Sequence, residues 1–228
     1  MPFYIDFGFK KIPYTLQKMI CSSLFLFAGI FAFGMCDFPN NWFFRLIIVA
    51  FIFSWIGDLA LAKVSKGLRF IIGLVSFLIA HICYIIAFHF ANQMLFGNIS
   101  FLTKAEAFAV ILVFALFVCL KFVVKVKFGG LGIAVAVYAL TISLMLVKAF
   151  SLGLRALSYG SANSSVILYV LSLAAVLFVI SDAVLVLILF KGKYNQMTEL
   201  INIATYYAAQ LLFAFSMIPI DSAVIGIS

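Results

Sequence analysis

Phe178-Val179-Ile180-Ser181-Asp182-Ala183-Val184-Leu185-Val186-Leu187-Ile188-Leu189-Phe190 is an almost unbroken apolar run with a carboxylate inside it. Extended back to residue 165, it reaches the length of about 20 apolar residues that a bilayer core requires. An acid in the middle of such a span costs roughly 2.5–3.5 kcal/mol on insertion scales. A chain that keeps Asp182 there gives it a partner or a task. A second acid, Asp58, lies in another apolar run, 43–62, and the remaining helices are expected to assemble around these two.

Composition supports a membrane reading. Of 228 residues, 67% are hydrophobic and 10% are charged, against about 45–50% and about 25% in a soluble domain. So much apolar surface cannot be hidden in one soluble core. The runs are continuous and do not alternate every second residue, which disfavours a β-barrel and predicts an all-α, polytopic transmembrane helix bundle. The net charge of +8 is gathered at the ends of apolar runs, where it meets lipid headgroups and sets orientation, so no nucleic-acid partner is expected. Cys21, Cys36, Cys83 and Cys119 form no CxxC pair and read as ordinary helix residues. The stretch from Lys10 to Cys36 has an apolar part too long for a signal-peptide core and no small-residue cleavage site after it, so it reads as the first span.

Seven apolar segments can be marked, at about 14–35, 43–62, 69–91, 105–124, 131–151, 165–190 and 198–220. Turn residues separate them: Asp37-Phe38-Pro39-Asn40-Asn41, Lys63-Val64-Ser65-Lys66-Gly67, Gly97-Asn98, Gly129-Gly130, Tyr159-Gly160-Ser161-Ala162-Asn163-Ser164 and Lys191-Gly192-Lys193. Nothing between them is long and polar enough for a soluble unit, so residues 1–228 are expected to form a single membrane domain. Lys10, Lys11, Lys18, Lys63, Lys66, Arg69, Lys121, Lys125, Lys127, Lys191 and Lys193 fall on one side, and Arg45, Lys104, Lys148 and Arg155 on the other. Positive residues favour the inside, which predicts a cytoplasmic N-terminus. An eighth helix is possible only by splitting 165–190, which would spoil this separation.

Counting along the helices at about 1.5 Å per residue places Asp58, His81, Tyr138, Asp182, Tyr206, Tyr207 and Gln210 between the inner boundary and the midplane. Polar groups from five helices would then line one pocket open to the cytoplasmic leaflet. His81 and Tyr84 share a face of the third helix, and Asn202, Tyr206 and Gln210 share one of the seventh. Ser54 precedes Asp58 by one turn, and Ser181 adjoins Asp182. The plainer role for each is an interhelical hydrogen bond, and for the tyrosines packing. Lys148, Arg155, Lys104, Glu106, Glu199 and Asp221 are expected to reach headgroups or water from the span ends, with no specific role for Asp6, Asp37 or Glu106.

Four motifs carry a resemblance. Gly57-Asp58-Leu59-Ala60-Leu61 resembles GD-x-x-L, and Phe77 to Phe88 resembles F-L-x-A-H-x-x-Y-x-x-A-F. Phe178 to Leu185 resembles F-x-x-S-D-x-x-L, and Thr205 to Gln210 resembles T-Y-Y-x-A-Q, with a weaker Y-x-x-x-I-x-x-M element from Tyr138. In this order, over about residues 16–215, the set is similar to the YhhN family of integral membrane lysoplasmalogenases. That family carries a further helix ahead of the first one here, and Val186 and Leu189 depart from its pattern. The resemblance implies hydrolysis of the vinyl ether bond of a lysophospholipid substrate, giving a fatty aldehyde and glycerophosphoethanolamine or glycerophosphocholine, with no cofactor, in a bacterial cytoplasmic membrane.

A vinyl ether breaks by protonation of its outer alkene carbon, and water captures the resulting oxocarbenium ion. That chemistry calls for an acid and a base, and two carboxylates in unlike surroundings can supply both. Asp58 and Asp182 are the expected catalytic pair, in either order. His81, Tyr84, Tyr138, Ser181, Tyr206, Tyr207 and Gln210 would orient them or hold the substrate. A lipid or proton-coupled small-molecule transporter could use the same acids, although no internal repeat is visible. An intramembrane aspartyl protease lacks its GxGD element here, since Trp55 stands where glycine is needed. Asp58, His81 and Asp182 would make a poor metal set, with one nitrogen ligand, and no metal is expected.

Overall fold

Thr103 starts a helix for a reason visible in its own contacts. Its hydroxyl accepts the Glu106 N–H at 3.3 Å, and the Glu106 carboxylate accepts the Thr103 N–H at 2.9 Å, a reciprocal cap. Asn41 likewise accepts the Phe43 N–H at 2.9 Å. The computed structural model describes residues 14–37, 41–62, 67–160, 163–192 and 195–225. Among these the chain forms seven α-helices: α1 (Tyr14–Gly34), α2 (Trp42–Leu61), α3 (Leu68–Phe96), α4 (Lys104–Val124), α5 (Gly132–Ser158), α6 (Ser164–Lys191) and α7 (Gln196–Ile225), with a short 3-10 turn at Gly129–Leu131. All seven are long and apolar enough to cross a membrane. Lys10, Lys11, Phe38-Pro39-Asn40, Lys63 to Lys66, Ser161, Ala162 and Lys193 lie outside the described residues.

Three helices outrun their expected ends. α3 continues until Gly97, whose φ of +80° turns the backbone and lets its N–H close on the Gln93 carbonyl at 3.0 Å. α7 passes through Pro219 and ends only at Ile225. α5 runs beyond residue 151 because Lys148 and Arg155 do not mark its boundary. Lys148 is 1% exposed and Glu106 5%. Lys148 Nζ lies 3.1 Å from Glu106 Oε2 and also donates to the Phe101 carbonyl, while Arg155 Nη2 is 3.7 Å from Glu106 Oε1. The expected reach toward headgroups is therefore corrected for Lys148 and Glu106: they form a buried ion cluster joining α4 to α5. Asp221 is buried too, and accepts the Asp37 N–H at 2.9 Å.

Six helices close a ring in the order α1, α2, α3, α5, α6, α7 and back to α1, and α7 also leans inward to touch α2 and α3. Among the described residues α4 stays outside this ring, and α5 is the one helix whose backbone it closely approaches. It buries only Glu106 and Val110. The ring interior is filled by Phe51, Tyr84, Phe88, Phe178 and Phe213, each fully buried. Tyr84 and Phe213 lie with centroids 4.6 Å apart.

Two glycines let ring neighbours approach. A Cβ on Gly57 would stand 2.7 Å from the Phe77 ring, and one on Gly153 would stand 2.6 Å from the Leu168 backbone. The second cannot be relieved by a side-chain rotation, so α5 and α6 must separate. Gly153→Ala is expected to destabilise the protein by about 1–3 kcal/mol, the range for forcing extra volume into a packed contact. Thermal unfolding of the purified variant in detergent checks this; an unchanged midpoint would mean that the two helices have slack.

Candidate active site

Asp182 stands on α6 two turns before that helix ends, and two side chains from other helices converge on one of its oxygens. Tyr138 of α5 donates to Asp182 Oδ2 at 2.7 Å. His81 of α3 brings Nε2 to 3.3 Å from the same oxygen and to 3.0 Å from the Tyr138 hydroxyl. Phe178, one helical turn back from Asp182, packs its ring edge-on against His81 at 4.7 Å and fixes the imidazole plane. His81 is fully buried, and its Nδ1 has no hydrogen-bond partner among the described residues. Asp182 Oδ1 carries no hydrogen bond among the described residues either. The carboxylate is thus held by one oxygen and open at the other.

Its surroundings are apolar. Asp182 and Tyr138 border a cavity of about 280 Å³ between α4, α5 and α6, walled by Phe114, Phe117, Ile142 and Val186. That volume is at the lower edge of the range for small-molecule sites. The two residues also border a smaller cavity of about 50 Å³ that reaches Leu61 and Phe77.

Asp58 belongs to a different cluster. It is 1% exposed. Lys18 Nζ of α1 lies 3.1 Å from Oδ1, Ser22 donates to Oδ2 at 2.7 Å, and Tyr206 of α7 donates to Oδ2 at 2.8 Å. Tyr207 donates to the Lys18 carbonyl at 3.0 Å, and its oxygen lies 3.0 Å from Ser22 Oγ. Lys18 and Ser22 are four apart on one face of α1, so a single helix brings both to the acid. Asp58 borders neither cavity, and among the described residues α2 and α6 are not neighbours.

The common pocket expected from depth along the helices is therefore not what forms. His81, Tyr138 and Asp182 meet; Asp58, Tyr206 and Tyr207 meet elsewhere in the ring. Tyr84 donates to Gln210 Oε1 at 2.6 Å in a third, fully buried pair. The rings of Phe178 and Phe77 pack edge-on against Tyr206 at 5.5 and 5.8 Å and fill space between the groups. Ser181 does not serve Asp182. It donates to the Asn202 carbonyl at 3.1 Å and accepts from Asn202 Nδ2 at 2.9 Å, tying α6 to α7. Ser54 makes no bond to Asp58. Among the described residues, no group of three or more His, Cys, Asp or Glu side chains is placed to hold a metal ion.

An apolar helix bundle with a half-buried acid facing a cavity defines a polytopic membrane protein with an intramembrane polar site. The sequence model of the YhhN family matches residues 15–217, and the chain belongs to that family. No curated protein and no solved structure matches the chain.

Proposed function

We propose that the protein is a membrane-embedded hydrolase of the vinyl ether bond in lysoplasmalogens, and that Asp182 is the residue that meets the substrate. The supporting observation is the division of labour on its carboxyl group. Oδ2 is held by Tyr138 and His81, while Oδ1 has no protein partner among the described residues, and the group edges an apolar cavity. A hydrocarbon chain laid in that cavity brings an alkene to a carboxyl group already fixed in orientation, which is the positioning that proton transfer needs.

In this reading one carboxyl group does both steps. Asp182 gives its proton to the outer alkene carbon, and the electron pair of the double bond forms the new C–H bond. The carbon attached to oxygen becomes an oxocarbenium ion. Asp182, now a carboxylate, takes a proton from water as the water oxygen bonds to that carbon. The hemiacetal then collapses, its hydroxyl proton going to the leaving glycerol oxygen, and fatty aldehyde and glycerophospho-alcohol separate. One water is consumed and Asp182 ends as it began. His81 and Tyr138 position the acid and follow its change of charge. The basic end of the bundle, with Lys18, Arg69, Lys121, Lys125, Lys127 and Lys191, faces the cytoplasm of a bacterial cell in this proposal.

Purified protein offered alkenyl, alkyl and acyl lysophospholipids in parallel should release aldehyde from the alkenyl lipid alone. Fatty acid from the acyl lipid, or no product from any, would overturn the reading; uptake of a lipid or proton flux without cleavage would favour a transporter.

A further inference from the structure

The cavity beside Asp182 is apolar along most of its wall, with one exception besides Tyr138 and Asp182. Lys121, on the last turn of α4, is the single cation among the lining residues. It has no acidic partner among the described residues. Its ammonium instead sits 5.5 Å from the Phe122 ring and 5.6 Å from the Phe128 ring, a setting that holds a cation without neutralising it. A cation so placed, at the edge of an apolar chamber, is complementary to an anion on an otherwise apolar molecule.

The helices give the chamber an open side. α4 is bound to α5 through its first turns, by the Glu106–Lys148 and Glu106–Arg155 contacts. Beyond Val110 none of its side chains is fully buried, although Phe117 packs partly buried against the core, and among the described residues its backbone does not come close to that of α6. In a membrane the seam between the last half of α4 and α6 would face lipid above the Phe128–Phe190 ring contact at 5.0 Å, and Lys121, over the Phe128 ring, stands at that basic end. Height matters as well. Lys121 is three residues before the end of α4 and Asp182 nine before the end of α6. Counted from each helix's own end at about 1.5 Å per residue, the acid stands roughly 9 Å further in than the Lys121 backbone. A glycerol unit, several bonds long, separates the phosphate of a lysophospholipid from its ether-linked chain, and it points the same way, phosphate outward and chain inward.

We propose that Lys121 is a specificity-determining residue that contacts the phosphate of a single-chain ether phospholipid entering sideways between α4 and α6, with its chain against Phe114 and Phe117. The depth match rests on the hydrolase reading of Asp182; the binding claim does not. Lys121 would thus separate phosphate-bearing lipids from phosphate-free alkylglycerols of equal chain length.

The test is binding to the full-length protein in detergent, with three probes: an alkyl lysophosphatidylcholine that cannot be cleaved as a vinyl ether, the matching alkylglycerol, and chain-free glycerophosphocholine. Loss of one charge-assisted contact is expected to weaken the alkyl lysophospholipid roughly tenfold or more in Lys121→Gln, with Lys121→Arg close to wild type. Alkylglycerol binding should not change in Lys121→Gln, and glycerophosphocholine should bind far more weakly than either lipid. Ala139→Phe, which fills the cavity from α5, should weaken both lipids together. With a vinyl ether substrate, Lys121→Gln should raise KM and leave kcat in place. Equal loss of both lipids in Lys121→Gln, no loss of either, or chain-free glycerophosphocholine binding as tightly as the lipid would overturn the proposal. The two readings fail separately. Lys121-dependent binding without aldehyde release sinks the hydrolase alone, and aldehyde release indifferent to Lys121 sinks this inference alone.

Discussion

Replacing Asp182 by Asn is expected to lower kcat for aldehyde release by about 10²–10⁴, the usual contribution of a positioned acid or base. The substitution keeps the shape of the side chain, so the Tyr138 and His81 contacts at 2.7 and 3.3 Å retain an acceptor and the fold should hold. Thermal unfolding within a few degrees of wild type is the control, since a variant that melts early says nothing about chemistry. The mechanism also leaves a mark in the product. Because the proton goes to carbon, wild-type turnover in D₂O should place one deuterium on the carbon next to the aldehyde group. Near wild-type turnover in a folded D182N protein would remove Asp182 from the mechanism. Aldehyde without carbon-bound deuterium would remove the protonation step itself.

Much of this site was legible along the chain and much was not, and the division is physical. Hydropathy and turn residues locate spans because water and lipid act on the composition of whole segments. Seven helices in the expected places follow from that. Depth is also readable, since rise per residue is nearly constant, and His81, Tyr138 and Asp182 do meet at one level. Azimuth is not. Ring order decides which side of the interior a polar face meets. With α4 outside and α3 packed on α5, it sends Asp58 and Asp182 to different partners. Charged residues near span ends mislead for a related reason. By sequence Lys18 and Lys148 count as charges on the two sides of the membrane, yet both reach inward to an acid on a neighbouring helix. The available signal was the spacing of four from Lys18 to Ser22, which puts a cation and a hydroxyl on one face of α1. Lys121 carried no such signal; only the cavity distinguishes it from other lysines at that end.

Lys18→Met is expected to be the most destabilising single change at the polar sites, at about 3 kcal/mol and toward the low end of the range for breaking a buried ion pair, because the Lys18 side chain is 14% exposed and water can reach it. The variant would leave a carboxylate 1% exposed with Ser22 and Tyr206 as donors but without its cation. Adding Asp58→Asn removes the stranded charge while keeping an oxygen for both donors, so the double variant should recover most of the loss. The resulting double-mutant cycle, followed by thermal unfolding, measures the coupling between the two residues. It also decides between two mechanisms. If Asp182 alone carries the chemistry, the folded double variant should keep kcat within about tenfold of wild type, well short of the loss from removing an acting acid or base. If Asp58 is the second member of a catalytic pair, the double variant should fold and release no aldehyde. In that case the separation of the two clusters would have to close during turnover, and α7, which carries Tyr206 and touches α2, α3 and α6, is the helix whose movement could close it.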